Sequence, residues 1–203
     1  MRKTVWALTV ALVWPGVAAA HGLSPEAGDF YAAAQSLLTG PEDILTWLAL
    51  GLFAGLHTMR RAGWSAECFA AGLACGLLAA RAGWLPAVRP GIDLIAPLVC
   101  GMLLALAVRL PALALWAIAV ASGLVRGWHT GMDTVARPDG LDLASGLGLA
   151  GYLAVLCSVA ATGWFLGGGA AWRLIAVRAA GSWIAAIAVM TGGLAVRRLM
   201  QGV

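Results

Sequence analysis

A chain of 203 residues that is 62% apolar, only 11% charged and has a mean hydropathy of +0.89 lacks the charge to cover a water-soluble surface. The formal charge of +4 comes from arginines set between apolar runs, with no basic patch interleaved with aromatics. These features exclude a soluble domain and nucleic-acid binding, and leave the polytopic membrane class, with the lipid bilayer as first partner.

Residues 1–20 read as a cleavable signal peptide. Arg2 and Lys3 precede an apolar core at 5–14, and Ala18-Ala19-Ala20 supplies the small residues of a cut site. Cleavage leaves His21 at the new amino terminus, where a terminal amine and its own imidazole can chelate a divalent metal. His21 is equally well explained as the residue that happens to follow the cut. Residues 21–203 then form one transmembrane domain whose amino terminus lies outside the cytoplasm. A short interfacial helix is expected at 30–38, and Gly40-Pro41 ends it.

Six apolar runs follow, at 44–59, 63–80, 92–108, 110–125, 141–166 and 174–196. The expected fold is therefore all-α: a polytopic integral membrane helical bundle of six transmembrane helices after the signal peptide. Several runs are near the short end of what bridges roughly 30 Å of hydrocarbon. Gly51-x-x-x-Gly55 and Gly72-x-x-x-Gly76 give small-residue faces for close helix packing. Trp64, Trp84, Trp128, Trp164 and Trp172 fall near run ends, where interfacial belts form. Cys68, Cys75, Cys100 and Cys157 lie within runs at no CxxC spacing, so they read as packing residues and exclude a zinc knuckle or a thioredoxin motif. A homo-oligomer is compatible with this layout.

The signal peptide puts Arg60, Arg61, Arg109, Arg173 and Arg178 inside, and Arg81, Arg89, Arg126, Arg137, Arg197 and Arg198 outside, which gives no inside bias. The acids are more one-sided. Glu26, Asp29, Glu42, Asp43, Asp93, Asp133, Asp139 and Asp142 gather at the outer side and leave Glu67 near the inner one. Glu42 and Asp43 open the first span and Asp93 opens the third. There they suit the helix dipole, so capping alone accounts for them as well as ligation does. Brought to one membrane face, they would form a negative funnel for cations.

His129 and Asp133 are four apart, a spacing that meets on a helix face, but Gly127 and Gly131 predict a loop after the fourth span. A solvated loop histidine is the simpler reading of His129. Asp43 and His57 are 14 residues apart, about 21 Å along one helix, which would give that helix an outer and an inner polar site. Glu67 joins His57 at the inner side, with an ion pair to Arg60 or Arg61 as its alternative. Carboxylates and imidazoles suit nickel, cobalt, copper, zinc or manganese, and geometry chooses among them.

Ser36-Leu37-Leu38-Thr39-Gly40-Pro41-Glu42-Asp43, Asp93, Arg109-Leu110-Pro111 and Arg126-Gly127-Trp128-His129-Thr130-Gly131 together resemble the HupE/UreJ family of bacterial membrane proteins. That family is associated with nickel or cobalt uptake and with hydrogenase and urease gene clusters. Its first span opens on a His-Pro-x-x-Gly-x-Asp-His pattern, an acid opens its third, and a histidine-rich loop follows its fourth. Here Gly40 matches, Glu42 replaces the aspartate, Asp43 replaces a histidine and Ser36-Leu37 replaces His-Pro. Asp93 stands at the third-span acid, and the loop keeps both glycines with one displaced histidine. The resemblance implies a divalent metal as substrate, nickel or cobalt, with ligation by Glu42, Asp43, Asp93 and His129. A carboxylate-rich site would bind nickel more weakly and favour harder cations.

The expectation is a metal importer of the inner (cytoplasmic) membrane, with metal contacts from Glu42, Asp43, Asp93, His129, His21, Asp133 and His57 and no prosthetic group. The alternative is a non-transporting accessory or scaffold protein of a metalloenzyme maturation system. An enzyme is not expected: Leu143-Ala144-Ser145-Gly146 lacks the glycine that a rhomboid-like serine site needs, and the sixth span holds no histidine to act as base.

Overall fold

A computed structural model describes residues 41–84, 86, 91–134 and 140–201. The expected signal peptide, His21 and the 30–38 helix lie outside the described residues, as does the side chain of Glu42. Every regular element among the described residues is helical.

Helix α1, Pro41–Ala54, begins with a proline at the first helical position, where the missing N–H is no loss, and with Glu42 and Asp43 in its first turn. It stops five residues short of the expected end, because Gly55 to Thr58 form the turn into α2, Met59–Arg81. Gly83, at φ +74°, closes α2: its N–H bonds Ala80 O and the Trp84 N–H bonds Ala79 O. After Gly91 a 3-10 turn, Ile92–Leu94, leads into α3, Ile95–Ala105. Helix α3 ends in the same motif with Ala107 at φ +51° in place of a glycine. Helices α4, Ala112–Thr134, α5, Gly140–Leu166, and α6, Ala171–Gln201, complete the chain.

Four of the helices, α2, α4, α5 and α6, are long and apolar enough to cross a membrane. Helix α1 and the Ile92–Ala105 unit are shorter, about 21 Å each. The short α1 is also the most enclosed. Ala49, Leu50, Phe53 and Ala54 are fully buried, packed chiefly against α5 and α3. The long helices instead turn large apolar side chains outward, among them Leu78, Leu113, Ile175, Trp183 and Met190, as a lipid solvent requires. Trp64, Trp164 and Trp172 are exposed at one end of the bundle and Trp84 at the other.

Glycine determines the packing. A Cβ on Gly72 or Gly76 of α2 would strike the α4 backbone at Val120 or Leu124, and one on Gly123 or Gly127 of α4 would strike the α2 backbone at Phe69 or Leu73. Gly101 of α3 and Gly181 of α6 form a second such seam, and Gly51 of α1 and Gly55 just after it seat Ser158 and Thr162 of α5. This corrects the expected loop over 127–133. In lipid these glycines serve as contact surface rather than as helix breakers, so α4 runs on to Thr134.

Candidate functional site

Helical continuation of α4 gives Arg126, His129 and Asp133 positions i, i+3 and i+7, which share one face. That face meets the first turn of α1 and the 3-10 turn before α3. Arg126 Nη2 lies 2.6 Å from Asp43 Oδ1, an ion pair largely withdrawn from the surface. Asp43 is 7% exposed and Asp93 8%, whereas Asp133 is exposed. The charges of Asp93 and Asp133 act on both Asp43 and His129, which places all four groups and Arg126 in one electrostatic neighbourhood. His129 is half-buried, and its Nε2 is buried with no hydrogen-bond partner among the described residues. A lone imidazole nitrogen hidden from water beside carboxylates is costly unless something visits it.

The acidic residues thus come from α1, the 3-10 turn and α4, elements that hold three of the four stretches that carried the sequence resemblance. The profile of the family described as HupE / UreJ protein matches residues 8–191. The chain belongs to the HupE/UreJ family. No curated protein and no solved structure matches it. Together with its apolar helices, this makes it a multi-pass membrane protein of a family associated with nickel or cobalt transport or metalloenzyme maturation.

In this HupE/UreJ chain the neighbourhood is not a closed cage. Among the described residues no group of three or more His, Cys, Asp or Glu side chains is near enough to hold a metal ion. Asp43 is instead engaged by Arg126. Glu42 sits on the first turn of α1 with its side chain outside the described residues, and His21 lies wholly outside them.

His57 stands apart from this cluster, in the turn after α1 at the opposite end of the bundle. Its Nε2 lies 3.1 Å from the Leu110 backbone nitrogen, and its Nδ1 lies 3.2 Å from Phe53 O. A backbone N–H can only donate, so Nε2 accepts and Nδ1 carries the proton. Both ring nitrogens are therefore occupied. The expected single helix linking Asp43 to an inner His57 site is also interrupted after Ala54. Glu67 differs from expectation too: its Oε1 accepts the Tyr152 hydroxyl at 2.8 Å, across the α2–α5 contact, rather than pairing with Arg60 or Arg61.

Arg126 is the residue that sequence reasoning missed. As a loop flank it opens one of the stretches that resemble the family and counts as one more exterior arginine, with no role at the site. The signal was available in the Gly123, Gly127 and Gly131 spacing, which marks a packing stripe and so a helix. On that helix Arg126 falls one turn before His129.

Proposed function

We propose that this HupE/UreJ protein moves a divalent transition metal, nickel or cobalt by family association, inward across the cytoplasmic membrane. The observation that carries the reading is the buried His129 Nε2, without a hydrogen-bond partner among the described residues, within the electrostatic reach of Asp93 and Asp133 and beside the Asp43–Arg126 pair. Three carboxylates against one guanidinium leave two formal negative charges among the described groups, the complement of a dication. In this reading α1 and the Ile92–Ala105 unit complete six membrane-embedded helices after a cleaved signal peptide, and the acidic end faces outward. Arg60, Arg61, Arg109, Arg173 and Arg178 lie at the opposite end, while Arg81, Arg126 and Arg197 lie at the acidic end, with Arg126 neutralised by Asp43. The orientation therefore rests on the acids and the signal peptide rather than on the arginines.

The mechanism is stepwise ligand exchange. The outer acids concentrate the ion, Asp43 and Asp93 replace some of its waters, and His129 adds a nitrogen donor that suits a borderline metal. The membrane potential contributes about 2.3 kcal/mol per charge per 100 mV, roughly twice that for a dication. No prosthetic group or bond-making chemistry is invoked, and because both His57 nitrogens are engaged the path does not run through His57. The test is accumulation of radioactive nickel or cobalt in vesicles carrying the full-length protein, compared with Asp93→Asn and His129→Ala. Both variants should lose most of the uptake at equal protein level. Undiminished uptake in both would overturn the assignment.

A second reading, a non-transporting accessory or scaffold of metalloenzyme maturation, is favoured by the lack of a three-ligand group among the described residues and by the closed Asp43–Arg126 pair. It expects no metal accumulation by wild-type vesicles.

A further inference from the structure

The ion pair at the mouth of α1 has a consequence for selectivity that rests on the cation site proposed above. We propose that Arg126 is a tethered competitor for the entering ion. It occupies Asp43 in the empty protein, so that only a cation of higher charge displaces it.

Three observations support this. The contact is closed, with Arg126 Nη2 2.6 Å from Asp43 Oδ1. Both side chains are largely shielded, 17% and 9% exposed, so water does little to weaken the attraction. The residue next to Arg126 is Gly127, whose backbone is pressed against Leu73 of α2, which fixes the point from which the guanidinium reaches. A guanidinium keeps its charge at any physiological pH. Sodium or potassium offers Asp43 no more charge than Arg126 already does, and would have to shed water to enter. A dication offers twice the charge, and the released guanidinium is free to turn towards solvent. Arg126 is thus a specificity-determining residue, acting through Asp43.

The test is equilibrium binding of Ni²⁺ alone to the purified full-length protein, with and without excess sodium. Arg126→Gln should bind Ni²⁺ roughly tenfold or more tightly than wild type, since the competing charge is gone. Sodium, without effect on wild type, should now compete. Both changes should disappear in the Asp43→Asn/Arg126→Gln double variant. A purely structural arginine would not alter divalent-over-monovalent selectivity. If Arg126→Gln does not fold, Arg126→Lys replaces it: a point charge without the planar fork should be displaced more easily, giving a smaller, Asp43-dependent gain. Unchanged or weaker Ni²⁺ binding by a folded Arg126 variant overturns the competitor role and leaves the site standing. A wild-type protein that binds no Ni²⁺ overturns the site itself, and the competitor role with it.

Discussion

His57 joins the end of α1 to the α3–α4 linker by accepting the Leu110 backbone N–H at 3.1 Å while donating to Phe53 O at 3.2 Å. Its ring also stands edge-on to Phe53, with centroids 5.3 Å apart. His57→Ala should therefore lower stability by about 1–3 kcal/mol, because it leaves the Leu110 donor without its partner. Thermal unfolding in detergent measures this. Metal uptake by the folded fraction should be unchanged; a loss of uptake at full stability would return His57 to the transport path.

The Asp43–Arg126 pair predicts strongly non-additive stability. Arg126→Gln leaves a shielded carboxylate without its cation and should cost about 3–5 kcal/mol. Adding Asp43→Asn should restore much of that loss, since both charges are then gone. A double variant as unstable as the sum of the singles would show that the two side chains do not support one another.

Close packing at the α2–α4 seam separates two glycines of the same bundle. Gly127→Ala drives a methyl into the Leu73 backbone and should cost about 1–3 kcal/mol. Gly63 of α2 has open space where a Cβ would go, so Gly63→Ala should be neutral or stabilise by about 0.5–1 kcal/mol. Unfolding temperatures of the two variants in one detergent give the comparison.

The two Schellman ends predict effects of opposite sign. Ala107, at φ +51°, has a side chain where the chain favours none, so Ala107→Gly should stabilise by up to about 1 kcal/mol once unfolded-state entropy is subtracted. Gly83→Ala places a Cβ at φ +74° and should destabilise by about 1 kcal/mol or more. Equal shifts in the same direction would contradict the assignment of both caps.

Much of the helical layout could be read from hydropathy alone, because in lipid a run of apolar residues has few alternatives to a helix. The start of α1 was visible in Pro41, Glu42 and Asp43, and Asp93 was correctly placed at the opening of the third element. Helix ends were less legible. Gly55 and Gly127 look alike in a sequence, yet one begins a turn and the other lies inside α4, and only the neighbouring backbone decides between them. The same ambiguity hid Arg126, whose relation to Asp43 depends on α4 being continuous. Glu67 was misassigned because its carboxylate accepts from Tyr152, 85 positions away, rather than pairing with the arginines nearest to it in sequence.

Main-chain contact between α2 and α4, and again between Gly101 and Gly181 of α3 and α6, yields two planks without side-chain cushions. Neither seam can loosen through rotamer changes, so any tilt would have to carry each plank as a unit. Among the described residues the planks meet chiefly through α1, α5 and the 3-10 turn. Asp93 lies in the 3-10 turn that leads straight into α3 of one plank, and Arg126, His129 and Asp133 belong to α4 of the other. A tilt of one plank against the other would therefore widen or narrow the gap between these charges.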